Sequence, residues 1–216
     1  MSYDSNTFRL PDPNIDPQAP GFVSVGLSNV SPGTRSRLNT GGSISVSAGG
    51  DYWTFDISYP EMTVEEEGII SPILYGSLGM QDPIYVQLPQ YINPKTGAWS
   101  LATSVQRAQG EISLGPKENQ IIVPSWSSRG GDLSPGDMLK FTNSHKIYMV
   151  RSIAISSDTA TISLHCPIVE REKIPTAGLY PNNIQFRVDL VQMSPLELTS
   201  RGVYEMVNLT FEENIL

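Results

Sequence analysis

From Thr159 to Cys166 apolar and polar side chains alternate without a break, in the order TATISLHC. One face carries Ala160, Ile162, Leu164 and Cys166, and the other face carries the intervening polar residues. Successive side chains of a β-strand point to opposite faces of its sheet, so a period of two is typical of a half-buried antiparallel strand. This segment therefore predicts a strand with one buried face.

Two more strands are predicted just before it. Ser134-Pro135-Gly136-Asp137 has the composition of a tight turn, because proline supplies a φ near −65° and glycine accepts a positive φ. Met138 to Phe141 and Ile147 to Ile155 follow as short apolar strands, and Ser156-Ser157-Asp158 turns the chain into the third. The segment Leu133 to Cys166 is therefore expected to form a three-stranded meander.

The chain as a whole is expected to be mainly β. Its 216 residues include 17 prolines and 18 glycines scattered along the sequence, which favours many short strands over long helices. One helix is predicted near residues 63–76, since Thr63 and Glu66 are spaced as a capping box at its start. The expected fold is a β-sandwich or barrel-like domain with one short helix and an inserted small β-barrel module.

Strands from the two ends of the chain are expected to share one sheet. Ile44 to Ala48 and Tyr52 to Tyr59 alternate on either side of Gly49-Gly50, which predicts a hairpin. The alternating segments near 184–190 and 203–211 have the same character. The predicted organisation is an extended N-terminal arm over residues 1–20, a main β domain from residues 21–109 plus 169–216, and an inserted module over residues 110–168.

Charge and composition exclude several classes of function. The net charge is −8, from 22 acidic and 14 basic side chains, and this disfavours nucleic-acid binding, which needs clustered basic residues. The single cysteine cannot form an intrachain disulfide. No apolar run reaches membrane-spanning length, and the N-terminus lacks a secretion signal, so synthesis and first use in the cytosol are expected.

No constellation of catalytic or metal-ligating residues is recognisable. The two histidines are His145, in a predicted turn, and His165, which points away from its neighbour Cys166 because adjacent strand residues face opposite sides. The sequence has no phosphate-binding glycine loop, no nucleophile elbow and no paired cysteine motif. A structural protein without catalytic activity, metal or cofactor is therefore predicted.

Four residues are candidates for an interaction surface. Arg35 and Arg37 share a side if their segment is extended, and they are either a solvated pair or a contact to an acidic neighbouring subunit. Trp99 and Trp126 lie in predicted loops, where they either pack under their own loops or at a subunit interface, or stack on sugar rings. The last possibility makes a carbohydrate-binding module the alternative function.

The order of features resembles bacteriophage tail-tip and baseplate proteins, in particular distal-tail-protein-like or minor tail proteins. The resemblance rests on the turn YPEMT at residues 59–63 before a short helix and GSLG, on the segment LSPGDMLKFTNSHKIYMVRSIAISSDTATISLHCPI, and on the closing segments QFRVDLVQ and VYEMVNLTFEENIL. It covers residues 43–216. Two departures are Glu61, where a second proline is usual, and the long loop from Pro89 to Ala108.

The resemblance implies a structural protein of the virion tail that is assembled in the host cytoplasm. Members of such a family form rings, commonly of six copies, around or beneath the tail tube. Its partners would be further copies of itself and other tail proteins, namely those of the tube, hub, and fibre or wedge. The resemblance implies neither sequence-specific nucleic-acid binding nor membrane insertion.

Overall fold

Short strands dominate the computed structural model, as the sequence predicts. It describes residues 9–11, 19–37, 41–47, 50–77, 83–91, 93–95, 112–129 and 133–215. Among these residues, one α-helix, α1, spans Val64–Ser77, and three 3-10 turns lie at Pro89–Tyr91, Trp126–Arg129 and Arg171–Thr176. The strands in chain order are β1 (Ser24–Val30), β2 (Gly33–Arg37), β3 (Ser43–Ser47), β4 (Tyr52–Tyr59), β5 (Ile84–Gln87), β6 (Ser113–Leu114), β7 (Gln120–Val123), β8 (Met138–Phe141), β9 (Ile147–Ser156), β10 (Thr159–Leu164), β11 (Leu179–Tyr180), β12 (Gln185–Met193) and β13 (Val207–Glu213).

The chain divides into two compact units. Unit 1 comprises Met1–Asn29, Tyr52–Gln87 and Gln185–Asn214, and unit 2 comprises Val30–Asp51, Leu88–Ile184 and Ile215–Leu216. The predicted inserted module, 110–168, lies within unit 2, whose limits extend further along the chain in both directions. Most of the predicted arm, residues 1–8 and 12–18, lies outside the described residues.

Unit 1 is built on a five-stranded sheet in the order β1-β4-β13-β12-β5. Its central pairing joins distant parts of the sequence, since Phe55 of β4 lies opposite Phe211 of β13. The next strand brings Phe186 of β12 opposite Val86 of β5. The prediction that the two ends of the chain share one sheet is therefore confirmed.

The predicted hairpin between β3 and β4 is wrong. β3 pairs instead with β2, in a two-stranded sheet where Arg35 lies opposite Ser45 and Arg37 opposite Ser43. β2 has the sequence GTRSR, without an apolar side chain, so it lacks the alternation of apolar and polar residues that identifies a strand. β4 buries alternate aromatic residues, and it lies between β1 and β13, which supplies apolar residues opposite them.

Helix α1 begins at the predicted capping box. The backbone N–H of Thr63 donates to Oε2 of Glu66 at 2.8 Å, and the backbone N–H of Glu66 donates to Oγ1 of Thr63 at 3.3 Å. These bonds satisfy donors that no helical carbonyl can reach at a helix start. Ile70, Leu74 and Ser77 form the buried side, and the helix continues through Pro72, which is exposed.

Unit 2 contains a six-stranded sheet in the order β11-β8-β9-β10-β7-β6. The predicted meander is confirmed as the antiparallel series β8, β9 and β10. Gly136 has a φ of 91°, as its turn requires, and Asp137 N–H donates to Ser134 O at 3.0 Å. β10 ends at Leu164, two residues earlier than predicted, because the register shifts between Ser163 and Leu164. The apolar face of this sheet packs into one core.

Candidate interaction surfaces

The predicted arginine pair lies on one strand of unit 2. Arg35 and Arg37 are two residues apart on β2. Arg37 is exposed, and the side chain of Arg35 lies outside the described part of the chain. A contact between this pair and an acidic neighbouring subunit stays a prediction.

Of the two tryptophans predicted to lie in loops, only Trp126 is among the described residues. Trp99 lies outside the described residues. Trp126 begins a 3-10 turn and exposes only 4% of its surface, within the core of unit 2. Its backbone N–H donates to Asp158 O at 2.8 Å, which fixes the turn against the β9–β10 connection. Trp126 therefore offers no face for stacking on a sugar ring.

The residues around His165 form a buried polar cluster and not a catalytic pair. Cys166 is buried, whereas the half-buried His165 accepts the backbone N–H of Met149 on Nδ1 at 3.0 Å. Lys146 is fully buried with its Nζ 6.0 Å from the centre of the Tyr148 ring. Among the described residues, no three His, Cys, Asp or Glu side chains are grouped so that they could hold a metal ion.

The environment of His165 favours its neutral form. Burial is the main cause that lowers the pKa of His165 from 6.5 to about 4; the positive charge of Lys146 acts in the same direction, and Asp51 opposes the shift. A proton on Nδ1 would also remove the acceptor for the Met149 N–H. The folded protein therefore binds this proton less readily than the unfolded chain does.

The substitution His165→Asn is expected to reduce the acid sensitivity of the protein. The stabilising contribution of neutral His165 is complete above pH 6.5 and is lost as the pH falls through 4. The pKa difference corresponds to about 3 kcal/mol in full, and solvent screening of a half-buried ring reduces this to about 1–2 kcal/mol. Asparagine keeps an acceptor for the backbone N–H but does not titrate. Urea unfolding between pH 7 and pH 4 measures the difference.

The matched control is His145→Asn, which changes the exposed histidine of the β8–β9 turn. It should leave the pH dependence as it is in the wild type. An equal loss of acid sensitivity in both variants would contradict the assignment of this effect to His165.

One end of the unit 1 sheet exposes a group of apolar side chains. Backbone bonds join Met62 to Tyr204 in both directions, at 3.1 and 2.8 Å, and Leu198 forms a β-bridge to Tyr204. Val23 N–H donates to Ser58 O at 2.8 Å, next to the end of β4. Val23 and Leu198 take part in these pairings, and Val64 and Met206 lie two positions along the chain from Met62 and Tyr204. Each of these four residues is at least half exposed, and together we call them the apolar end patch.

Carboxylates accompany this patch. Glu61, Glu65, Glu197 and Glu205 are exposed, and Glu205 N–H donates to Glu197 O at 3.0 Å. The accompanying cation is Arg201, whose Nη2 lies 3.4 Å from Oε1 of Glu61. We call these four glutamates the acidic rim. The resulting surface is apolar and negatively charged.

Sequence patterns did not predict this surface. Val23, Leu198 and Met206 stand outside the regular alternation of the strands, and isolated apolar residues are common on protein surfaces. Their placement depends on backbone pairings between distant parts of the chain, such as that of Met62 with Tyr204, 142 positions apart. No local signal contains that information.

Comparison with known proteins agrees with the resemblance seen in the sequence. Residues 10–91 match the family model of the N-terminal part of the A domain of distal tail protein pb9. The chain is also 29% identical to distal tail protein pb9 of Escherichia phage T5 over 219 aligned residues, covering 96% of this chain and 100% of that protein. The chain resembles phage distal tail proteins. The predicted similarity to tail-tip proteins is therefore confirmed.

The similarity to a distal tail protein supports a structural component of a phage tail. The match to the family model includes β4, the capping box and α1, which were part of the resemblance. Within the described residues, the only α-helix is α1, and no helix there has the length and apolar character needed to cross a membrane.

Proposed function

We propose that this chain assembles as a ring, of six copies, that joins the tail tube or hub to peripheral fibre or wedge proteins. The observation that carries the proposal is the similarity to a distal tail protein along nearly the whole chain, at both ends and through both units. Assembly would take place in the host cytoplasm before the tail is complete.

The chemistry of the described surfaces supports a role in protein–protein contact. The residues of the apolar end patch are each at least half exposed, and exposed apolar side chains of this kind favour burial against a partner. The candidate arginines on β2 would provide a second contact of opposite charge. We propose no catalytic activity for the chain.

Native mass spectrometry and negative-stain electron microscopy of the purified chain test the ring. The expected result is a closed ring of six copies that persists on dilution into the low micromolar range. A monomer at every concentration, both alone and with tube and hub proteins, would exclude the ring. Turnover of a polysaccharide by the purified chain would overturn the non-enzymatic assignment.

A further inference from the structure

The two edges of the unit 1 sheet differ. The strand order places β5 at one edge and β1 at the other. At the β5 edge, Arg9 forms a parallel β-bridge with Tyr85, and the N–H of Leu10 donates to Tyr85 O at 2.9 Å. Leu10 is also buried. A short extended segment of the chain itself therefore covers part of the β5 edge.

β1 has a strand on one side only within the residues that the structure describes. That strand is β4, and the N–H of Val23, just before β1, donates to Ser58 O of β4 at 2.8 Å. On the outer side of an edge strand, alternate residues point backbone N–H and C=O groups away from the sheet. β1 therefore offers an open edge along its seven residues, Ser24–Val30.

The sequence of β1 lacks the residues that usually protect such an edge. Natural edge strands are kept from pairing with other chains by charged side chains, by proline or by a very short length. β1 reads SVGLSNV, with neither a charged residue nor a proline in seven positions. At an open edge of this kind, an extended segment of another chain can add as a further strand.

Gly26 of β1 leaves room beside an aspartate of β4. A Cβ added to Gly26 would lie 3.5 Å from Cβ of Asp56 and 3.9 Å from its Oδ2. Oδ1 of Asp56 accepts the hydroxyl of Thr210, on β13, at 2.9 Å. Because Gly26 has no side chain, none at this position stands between Oδ2 and a strand added at the edge. Such a strand would lie two spacings from β4, about 10 Å, a distance that aspartate and arginine side chains span together.

The charge of unit 1 favours a basic partner strand. Counted along the sequence, unit 1 contains fourteen acidic and three basic side chains, a net charge of −11. Pairing of two β1 edges would bring Asp56 of both copies into one contact, and like charges held close oppose association. The segment that adds to β1 is therefore expected to carry lysine or arginine and no acidic residue.

β2 has this composition. Its five residues, GTRSR, include Arg35 and Arg37 and no acidic residue, and β3 adds no charge. Unit 2, to which both strands belong, contains eight acidic and eleven basic side chains, a net charge of +3. In the described part of the chain β2 pairs with β3 alone, so its other edge is open too. β2 of a second copy can therefore provide both the backbone edge and the charge.

We propose that β2 of one copy adds to the open edge of β1 in a second copy, with an arginine of β2 over Gly26 beside the Asp56 carboxylate. Backbone hydrogen bonds between the two edges would hold the strands together, and the charge pair would fix the position of one strand along the other. The inference rests on the proposed assembly of copies and specifies one contact within it.

Two variants, each altered on one strand, test this contact. The β1 variant is Gly26→Lys, which puts a charge on the open edge and a cation beside Asp56 of its own chain. The folded chain has room for it, since Gly26 does not have a positive φ and a Cβ there makes ordinary contacts. The β2 variant carries Arg35→Glu and Arg37→Glu. Self-association of each variant, measured by analytical ultracentrifugation, is expected to weaken about tenfold or more relative to the wild type.

Mixed in equal amounts, the two variants are expected to associate again. The mixture contains an intact β2 on the β1 variant and an intact β1 on the β2 variant. Hydrogen exchange measured by mass spectrometry checks that the contact is strand addition, because paired amides exchange slowly. Exchange over residues 24–30 should be slower in the wild-type assembly than in either variant alone. Equal exchange there in the assembly and in the separated variants would overturn the proposal.

The matched control is Gly68→Lys. Gly68 belongs to the same unit and lies on α1, where an added Cβ would meet nothing within 4 Å. This variant adds the same charge to unit 1 and should assemble as the wild type does. Equal weakening by Gly68→Lys would assign the effect to the net charge of unit 1 and contradict the contact. Thermal unfolding checks that every variant is folded, and Asp56→Asn or Arg37→Ser replaces a variant that is not.

The outcomes separate this contact from the proposed ring. If the wild type forms rings and both variants also do, the contact is wrong and the proposed ring stands. If the wild type is monomeric both alone and with tube and hub proteins, the proposed ring fails and this contact with it. If both variants are monomeric and their mixture stays monomeric, pairing of β2 with β1 is excluded.

Discussion

Replacing Trp126 with alanine is expected to lower the free energy of unfolding by about 3–5 kcal/mol. The side chain belongs to the core of unit 2, together with residues of β7, β8, β9 and β10. Removal of a buried indole loses its transfer free energy and leaves a cavity that the surrounding strands fill only in part. Chemical denaturation at neutral pH measures the change.

Ser127→Ala is the control for this substitution. Ser127 is exposed, and it is the backbone N–H of this residue that donates to Oδ1 of Asp158, at 2.6 Å, so the hydroxyl is not needed. Its effect should stay within about 0.5 kcal/mol. If Trp126→Ala were as stable as the wild type and lost affinity for an oligosaccharide, the buried position would be wrong and the carbohydrate-binding alternative would return.

Features decided by neighbouring residues were predictable from the sequence. The alternation of Thr159 to Cys166, the positive φ at Gly136 and the capping box of Thr63 and Glu66 all depend on short-range geometry, and all appear in the structure. The period of two also predicted correctly which face of β10 is buried. In these cases local preference and tertiary structure agree.

Strand partners were not predictable in the same way. The residues of β3 and β4 flank a glycine pair and suggested a hairpin, but β3 pairs with the polar strand β2. Backbone hydrogen bonds suffice to pair a strand without apolar side chains, so GTRSR left no pattern to detect. The choice of β13 as a partner of β4 depends on a large buried face that only the folded chain creates.

The candidate interaction surfaces were also only partly predictable from the sequence. Arg35 and Arg37 could be placed on one face because they are two residues apart on an extended segment. The burial of Trp126 could not be inferred, since a loop position says nothing about the core beneath it. The positions of Leu198 and Met62 on either side of Tyr204 depend on long-range bridges that no local pattern contains.

Phe55→Ala is expected to destabilise unit 1 by about 3–5 kcal/mol. Phe55 is fully buried in the middle of β4, opposite Phe211, and its ring meets Phe186 edge to face with centroids 4.7 Å apart. The three phenylalanines come from β4, β12 and β13, so the cavity would lie where the two ends of the chain meet. Thr54→Ala, on the opposite face of the same strand, should cost less than about 1 kcal/mol.

A double-mutant cycle separates the energy of the contact between the two aromatic side chains from the effect of removing side-chain volume. Phe55→Ala, Phe186→Ala and the double variant should give a coupling of about 0.5–1.5 kcal/mol, as expected for an edge-to-face aromatic pair. Additive losses would mean that the two rings do not stabilise each other. Because Phe55 and Phe186 are 131 positions apart, a measured coupling would also establish in solution that β4 and β12 belong to one sheet core.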